Sequence, residues 1–166
     1  MRKLIVMRGI PGSGKSTAIQ QNGFADYTIS SDTIRLMFAA PRMDISGKMG
    51  ISQENDKEVW ALLRRLVEHR MGHGDTTVID ATHLDNRSLN DYTKLAEKYG
   101  YQIAIWDFTG VPYETCLARN RGRKDEYRIV PDEVMRRMAM KISAIRPLDC
   151  IPTFAHADEV MEWLSK

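Results

Sequence analysis

The sequence predicts an α/β domain whose parallel central sheet is covered by helices on both faces, and three observations predict it. Short apolar runs rich in strand formers alternate with helical patterns along all 166 residues. No linker, repeat or low-complexity stretch divides the chain. The first apolar run is nearly continuous, as in strands covered on both sides. With 43% hydrophobic and 28% charged residues, 11 glycines and 6 prolines, the composition is ordinary for a globular domain and excludes disordered and fibrous classes.

Residues 3–8 read as a buried strand that stops at Gly9, and 9–14 as a turn. Helix formers fill 15–21 before Asn22-Gly23 supplies a stop, and Tyr27-Thr28-Ile29-Ser30 favours a second strand. Ser31 or Asp32 caps a helix over 33–39, which ends before Pro41. Residues 41–50, with Gly47, Gly50, Met43 and Met49 and no clean period, read as a mobile loop. Ser52 caps a long helix to about Met71, because Val59, Leu62, Leu63, Leu66 and Val67 recur at spacings of three and four.

Gly72-His73-Gly74 ends that helix, residues 76–80 form a third strand, and Asp85 caps a helix to Tyr99-Gly100. A fourth strand covers 101–108. Pro112 opens a helix to about Asn120, and Pro131, at a first helical position, opens the next. The tail holds a weak strand near 151–154 and a helix over 158–164. Met135, Met138 and Ile142 recur at helical spacing and read as core.

The 24 basic and 22 acidic side chains leave a net charge of +2, too mild to demonstrate nucleic-acid binding alone. No apolar run approaches the roughly 18 residues of a membrane span, and the N-terminal run meets Gly9 and Pro11 too early for a secretory segment. A soluble, cytoplasmic protein is expected, in the host cytoplasm if the source is a phage. Cys116 and Cys150 lack metal-ligand spacing and read as packing residues in a reducing compartment.

In such sheets the ligand lies outside the carboxyl ends of the strands. There, Gly9-Ile10-Pro11-Gly12-Ser13-Gly14-Lys15-Ser16-Thr17 fits G-x-x-x-x-G-K-[ST] completely. Its glycines let successive amide hydrogens turn toward phosphate oxygens, Lys15 reaches the β- and γ-phosphates, and the Ser16 hydroxyl ligates Mg²⁺. The competing reading is a glycine-rich turn without ligand. Asp80 ends the third strand, where an acid contacts the metal or its waters, or else caps a turn with Thr82. His83 reads as a polar turn residue.

Asp32 and Arg35 share a face on a first helical turn. A carboxylate there accepts a hydroxyl proton while the arginine holds a neighbouring phosphate; equally, the pair is a helix cap and an exposed arginine. Arg119-Asn120-Arg121-Gly122-Arg123-Lys124 places cations at a helix end, with Arg119 and Arg123 one turn apart if the helix continues. They form a lid over phosphates, or merely complement the helix terminus. No Asn-Lys-x-Asp guanine signature is present.

Together, Gly9 to Thr17, Ser31-Asp32-Thr33-Ile34-Arg35, Asp80-Ala81-Thr82-His83 and Arg119-Asn120-Arg121-Gly122-Arg123 resemble the polynucleotide 5′-kinase domain of phage and bacterial end-healing enzymes, over about residues 1–150. The resemblance implies one P-loop kinase domain over 1–166 with a lid at about 119–130. It implies transfer of the γ-phosphate of ATP or another NTP, with Mg²⁺, to the 5′-hydroxyl end of RNA or DNA in nucleic-acid repair. On that basis Asp32 is the general base and Arg35 binds the phosphate next to the terminal nucleoside. Lys15, Ser16 and the loop amides hold triphosphate and metal, Arg123 with Arg119 contacts phosphates from the lid, and Asp80 supports metal and loop. Two departures stand out: His83 occupies a position where many relatives have Asn, and no phosphatase or ligase signature accompanies the kinase motifs. Partners are thus nucleic-acid ends and a nucleotide, with no membrane and an open oligomeric state. A kinase of a sugar, nucleoside or antibiotic hydroxyl and a nucleotide-driven switch are the competing functions.

Overall fold

The computed structural model describes residues 2–43, 47–145 and 148–166. The chain runs β1 (Lys3–Arg8), α1 (Lys15–Gln21), β2 (Thr28–Ser30), α2 (Ser31–Phe38), β3 (Arg42–Met43), β4 (Met49–Gly50), α3 (Asp56–His73) and β5 (Thr77–Asp80). It continues through α4 (Arg87–Tyr99), β6 (Gln102–Asp107), α5 (Tyr113–Arg121), α6 (Asp132–Ile142), β7 (Thr153–Phe154) and α7 (Ala157–Ser165).

Five strands pair in parallel in the order β2-β5-β1-β6-β7. β1, buried along its whole length, takes the centre, as its apolar sequence requires. Its side chains alternate between two cores. Leu4 and Val6 join Ile29, Ile79 and Ile105 beneath α3 and α4, packed on Val59, Leu63, Leu89 and Leu95. Ile5 and Met7 join Val78 and Trp106 against Ile19 of α1 and Val160 of α7. Each fully buried aliphatic contributes about 1.5–3 kcal/mol of transfer free energy, so the sheet centre is the stiffest part of the molecule. A third cluster, Ile10, Cys116, Leu117 and Met135, fastens α5 and α6 at the carboxyl end.

The parallel sheet with helices on both faces agrees with the sequence, and the element boundaries correct it in places. α2 begins at Ser31, so Asp32 lies inside the first turn and caps nothing. α3 begins at Asp56 after Asn55; Ser52 instead accepts a hydrogen bond from the Glu54 amide at 3.3 Å, closing a separate turn. Pro131 precedes α6 as its N-cap. In the stretch expected to be a loop, β3 and β4 pair as a short antiparallel ribbon, and residues 44–46 lie outside the described residues. Cys116 is packed as expected, whereas Cys150 is exposed rather than a packing residue. Among the described residues, no helix is long and apolar enough to cross a membrane.

Candidate active site

β1 ends in a loop whose path only glycine can follow at two points. Gly12 has φ 78°, and a Cβ there would lie 2.1 Å from the Cys116 carbonyl oxygen. Gly9 has φ 150°, and a Cβ would meet Ser13 Oγ at 2.8 Å. The Gly9 amide donates to the Thr82 carbonyl at 3.0 Å, tying the loop to the exit of β5. Lys15 opens α1 and is buried, its Nζ donating to the Gly9 carbonyl at 2.8 Å and the Ile10 carbonyl at 3.1 Å. Ser16 and Thr17 stay open to solvent.

β5 is the direct neighbour of β1, in register Val6 to Ile79, and this brings Asp80 beside the loop. Burial raises the Asp80 carboxyl above its ordinary range, while the nearby Lys15 charge opposes that rise. Conversely, burial lowers Lys15, and the Asp80 charge pulls it back. Each charge thus offsets part of the other's loss of hydration.

One strand further out, Ser30 of β2 lies level with Asp80, and α2 follows at once. Arg35 Nη1 meets Asp32 Oδ1 at 3.0 Å, and its Nη2 meets Asp56 Oδ1 at 2.9 Å. The Arg35 side chain is only 12% exposed, so the exposed-arginine reading is wrong: two acids from two helices clamp its guanidinium. Asp32, 48% exposed, bears its charge on Lys15, Asp80, Arg123 and Arg128.

α5 ends at Arg121, which leaves Arg123 beyond the helix rather than one helical turn after Arg119. Arg123 Nη1 donates to the Arg128 carbonyl at 2.6 Å; burial lowers its guanidinium pKa and the Asp32 charge raises it. The Arg119 guanidinium lies against Gly14, where a Cβ would come within 3.9 Å. Asn120, fully buried, donates to the Val130 carbonyl at 2.7 Å and accepts from its amide at 3.1 Å. That exchange closes 121–129 into a loop pinned at its neck, and β4 lies against its turn Glu126–Arg128.

Sequence reasoning missed Asp56, Asn120 and Arg128. Asp56 carried a signal, since an acid directly after an Asn belongs to a first turn once the helix start is placed at Asn55. It also misjudged His83. The residue is buried with φ 45°, its Nδ1 lying 2.8 Å from the Met7 carbonyl, and desolvation pushes its pKa down to about 4. Its second nitrogen, Nε2, is buried with no partner among the described residues.

Among the described residues no cluster of three or more His, Cys, Asp or Glu surrounds a cation position. One solvent-open hydroxyl, Ser16, and one carboxylate, Asp80, fit an ion such as Mg²⁺ that takes most ligands from phosphates and water.

Residues 4–145 match the family AAA_33, described as an AAA domain. Comparison with curated proteins gives no match. The chain is similar to one chain of the Pnkp1/Rnl/Hen1 RNA repair complex, with a TM-score of 0.65 and 23% identity, covering 86% of this chain and 44% of that one. It therefore spans less than half of that relative's length. It is also similar to an unliganded sugar kinase from Janibacter sp. HTCC2649, with a TM-score of 0.64, 20% identity, and 99% and 95% of the two chains covered. A third likeness is to the Mycobacterium tuberculosis APS kinase in complex with AMPPNP and APS: TM-score 0.56, 16% identity, and 99% and 98% covered. Identities this low show the fold alone, which is that of a P-loop kinase.

Proposed function

The chain belongs to the AAA domain family AAA_33, and from that premise we propose that it is an ATP- and Mg²⁺-dependent polynucleotide 5′-hydroxyl kinase. Residues 1–166 form a kinase domain with a lid at about 119–130, and the protein works in the cytoplasm and heals RNA or DNA ends. One arrangement carries this function. The Asp32 charge acts on Lys15, and Arg35 is clamped beside Asp32 by Asp56, an arrangement that supports an oriented guanidinium for a phosphate of the acceptor.

In the reaction the Asp32 carboxylate takes the proton of the 5′-hydroxyl and the freed oxygen bonds to the γ-phosphorus. The bond from that phosphorus to the bridging oxygen breaks, and ADP leaves with the electron pair. Asp32 Oδ1 is engaged by Arg35, and Oδ2, with no partner among the described residues, is the oxygen left for the proton. The loop amides of Gly9, Pro11-flanking Gly12, Ser13 and Gly14 cradle the phosphates with Lys15, Ser16 and Thr17. Arg123, supported by Arg119, bears on the transferred group's oxygens, where transition-state charge collects. Ser16 and Asp80 are the residues that would hold Mg²⁺, which would supply charge neutralisation at the phosphates.

A second reading, a kinase of a small-molecule hydroxyl, is favoured by the sugar kinase and APS kinase likenesses that span nearly the whole chain. Competition separates the two. With γ-labelled ATP, a 5′-hydroxyl oligonucleotide is expected to take label at its end, and a hundredfold excess of sugar or nucleoside to leave that transfer intact. Label passing only to the small alcohol would overturn the polynucleotide assignment.

A further inference from the structure

A pocket of about 550 Å³ opens between α3, α4 and α6. Such a volume suits a nucleotide-sized ligand. Its walls combine the Trp60 and Tyr92 rings with Arg64, Arg87 and Lys141, against the two acids Asp85 and Asp91. The Trp60 ring also lies 5.9 Å from Arg35 Cζ, so the aromatic wall begins where the proposed phosphate-holding arginine ends.

His83 lines the same pocket, and its Nε2 is buried with no partner among the described residues. A carbonyl only accepts, so His83 Nδ1 must carry the hydrogen donated to Met7, which leaves Nε2 a bare acceptor. The two nitrogens lie on opposite sides of the ring. The imidazole packs in tilted, edge-type contact with the Trp60 and Tyr92 rings that wall the pocket, their centroids 6.3 and 5.7 Å from its own. Burial holds the imidazole neutral, with its pKa down to about 4, which preserves that lone pair at working pH. A buried acceptor left bare costs free energy that a ligand N–H would recover.

We propose that this pocket is an acceptor subsite for a nucleobase adjoining the phosphate that Arg35 holds. The base stacks on Trp60, presents an N–H toward His83 Nε2, and leaves the next phosphate to the Arg64, Arg87 and Lys141 rim. The proposal rests on the polynucleotide kinase reading above. Aromatic stacking suits any base, and the rim cations suit a chain that continues past the first phosphate.

Steady-state kinetics with oligonucleotides tests it. Trp60→Leu is expected to raise the KM for a 5′-hydroxyl oligonucleotide about tenfold and to leave the KM for ATP within about twofold. An oligonucleotide lacking the base at its first or second position should show the same rise with the unaltered protein and no further rise with Trp60→Leu. Additive losses, or an unchanged KM in Trp60→Leu, would overturn the subsite while leaving the kinase assignment standing. Arg87→Gln, on the exposed rim and neutral for folding, should lower the salt slope of oligonucleotide binding by about one; an unchanged slope counts against the rim. Should no oligonucleotide be phosphorylated, the kinase assignment fails by itself, and titration with adenosine 3′-monophosphate decides the pocket. Saturable fluorescence quenching that vanishes in Trp60→Leu supports it, and quenching that is absent or survives the substitution overturns it.

Discussion

The loop at 9–17 and the acid–arginine side of the cleft hold their charges by different means. Around the loop the backbone does the holding. Lys15 is buried with its ammonium on two carbonyls of the turn it follows, and a Cβ on Gly12 would collide with the Cys116 carbonyl. Across the cleft, side chains hold side chains: Arg35 lies between Asp32 and Asp56, and Asn120 closes the neck of the segment that carries Arg123. A backbone cradle is rigid and indifferent to what is transferred. A side-chain clamp is replaceable one residue at a time, so under the proposed function selectivity for the acceptor would reside there.

Substitutions sharpen that contrast. The largest effect is expected from Asp32→Ala, which should lower kcat by about 10²–10⁴-fold, the usual worth of a positioned base, with the Kd for ATP within about threefold. Rapid-quench turnover and nucleotide titration check it, and equal losses in both would remove Asp32 from the base role. Arg123→Ala is expected to lower kcat by about 10²–10³-fold, since it removes one cation from the developing charge. A rise in the KM for ATP with kcat intact would instead make it a binding residue.

A smaller effect should follow Asp56→Asn. Arg35 then keeps Asp32 and Ser31 but loses its second acid. The KM for the oligonucleotide is expected to rise about fivefold, in line with one partly exposed charge-assisted contact, while that for ATP stays put. Loss confined to the nucleotide side would break the division between cradle and clamp.

The smallest effect concerns stability. The folded His83 pKa, about 4, lies below the ordinary 6.5, so on acidification the unfolded chain takes up the proton first. Stability is therefore full above about pH 6.5 and falls toward pH 4, by about 2 kcal/mol between pH 7 and 5. Urea melts at the two pH values measure it. His83→Asn, which tolerates the left-handed φ of 45°, should flatten that slope. An equally steep slope in the variant would place the titration elsewhere.

The same division explains what the sequence disclosed. Strands such as Lys3–Arg8 and the turn at Gly9–Gly14 are written in local patterns, apolar runs and obligatory glycines, and could be read in place. The partners of Arg35 and Arg123 could not. Asp56 reaches Arg35 from 21 residues away because α3 packs across α2, and Asn120 meets Val130 only once 121–129 has folded back. His83 read as a polar turn residue, and its burial was not legible because nothing local marks the Met7 carbonyl 76 residues earlier as its partner. Helix starts slipped where a plausible cap stood near the true one, as with Ser52 before Asn55.

A bisubstrate analogue, adenosine joined through a polyphosphate bridge to the 5′ end of an oligonucleotide, tests most directly whether the Lys15 cradle and the Asp32–Arg35 clamp share one cleft. If they do, the tethered pair should bind about 10²–10⁴-fold more tightly than ATP, and Arg35→Ala should erase most of that gain. An analogue that binds no more tightly than ATP itself would contradict the shared cleft.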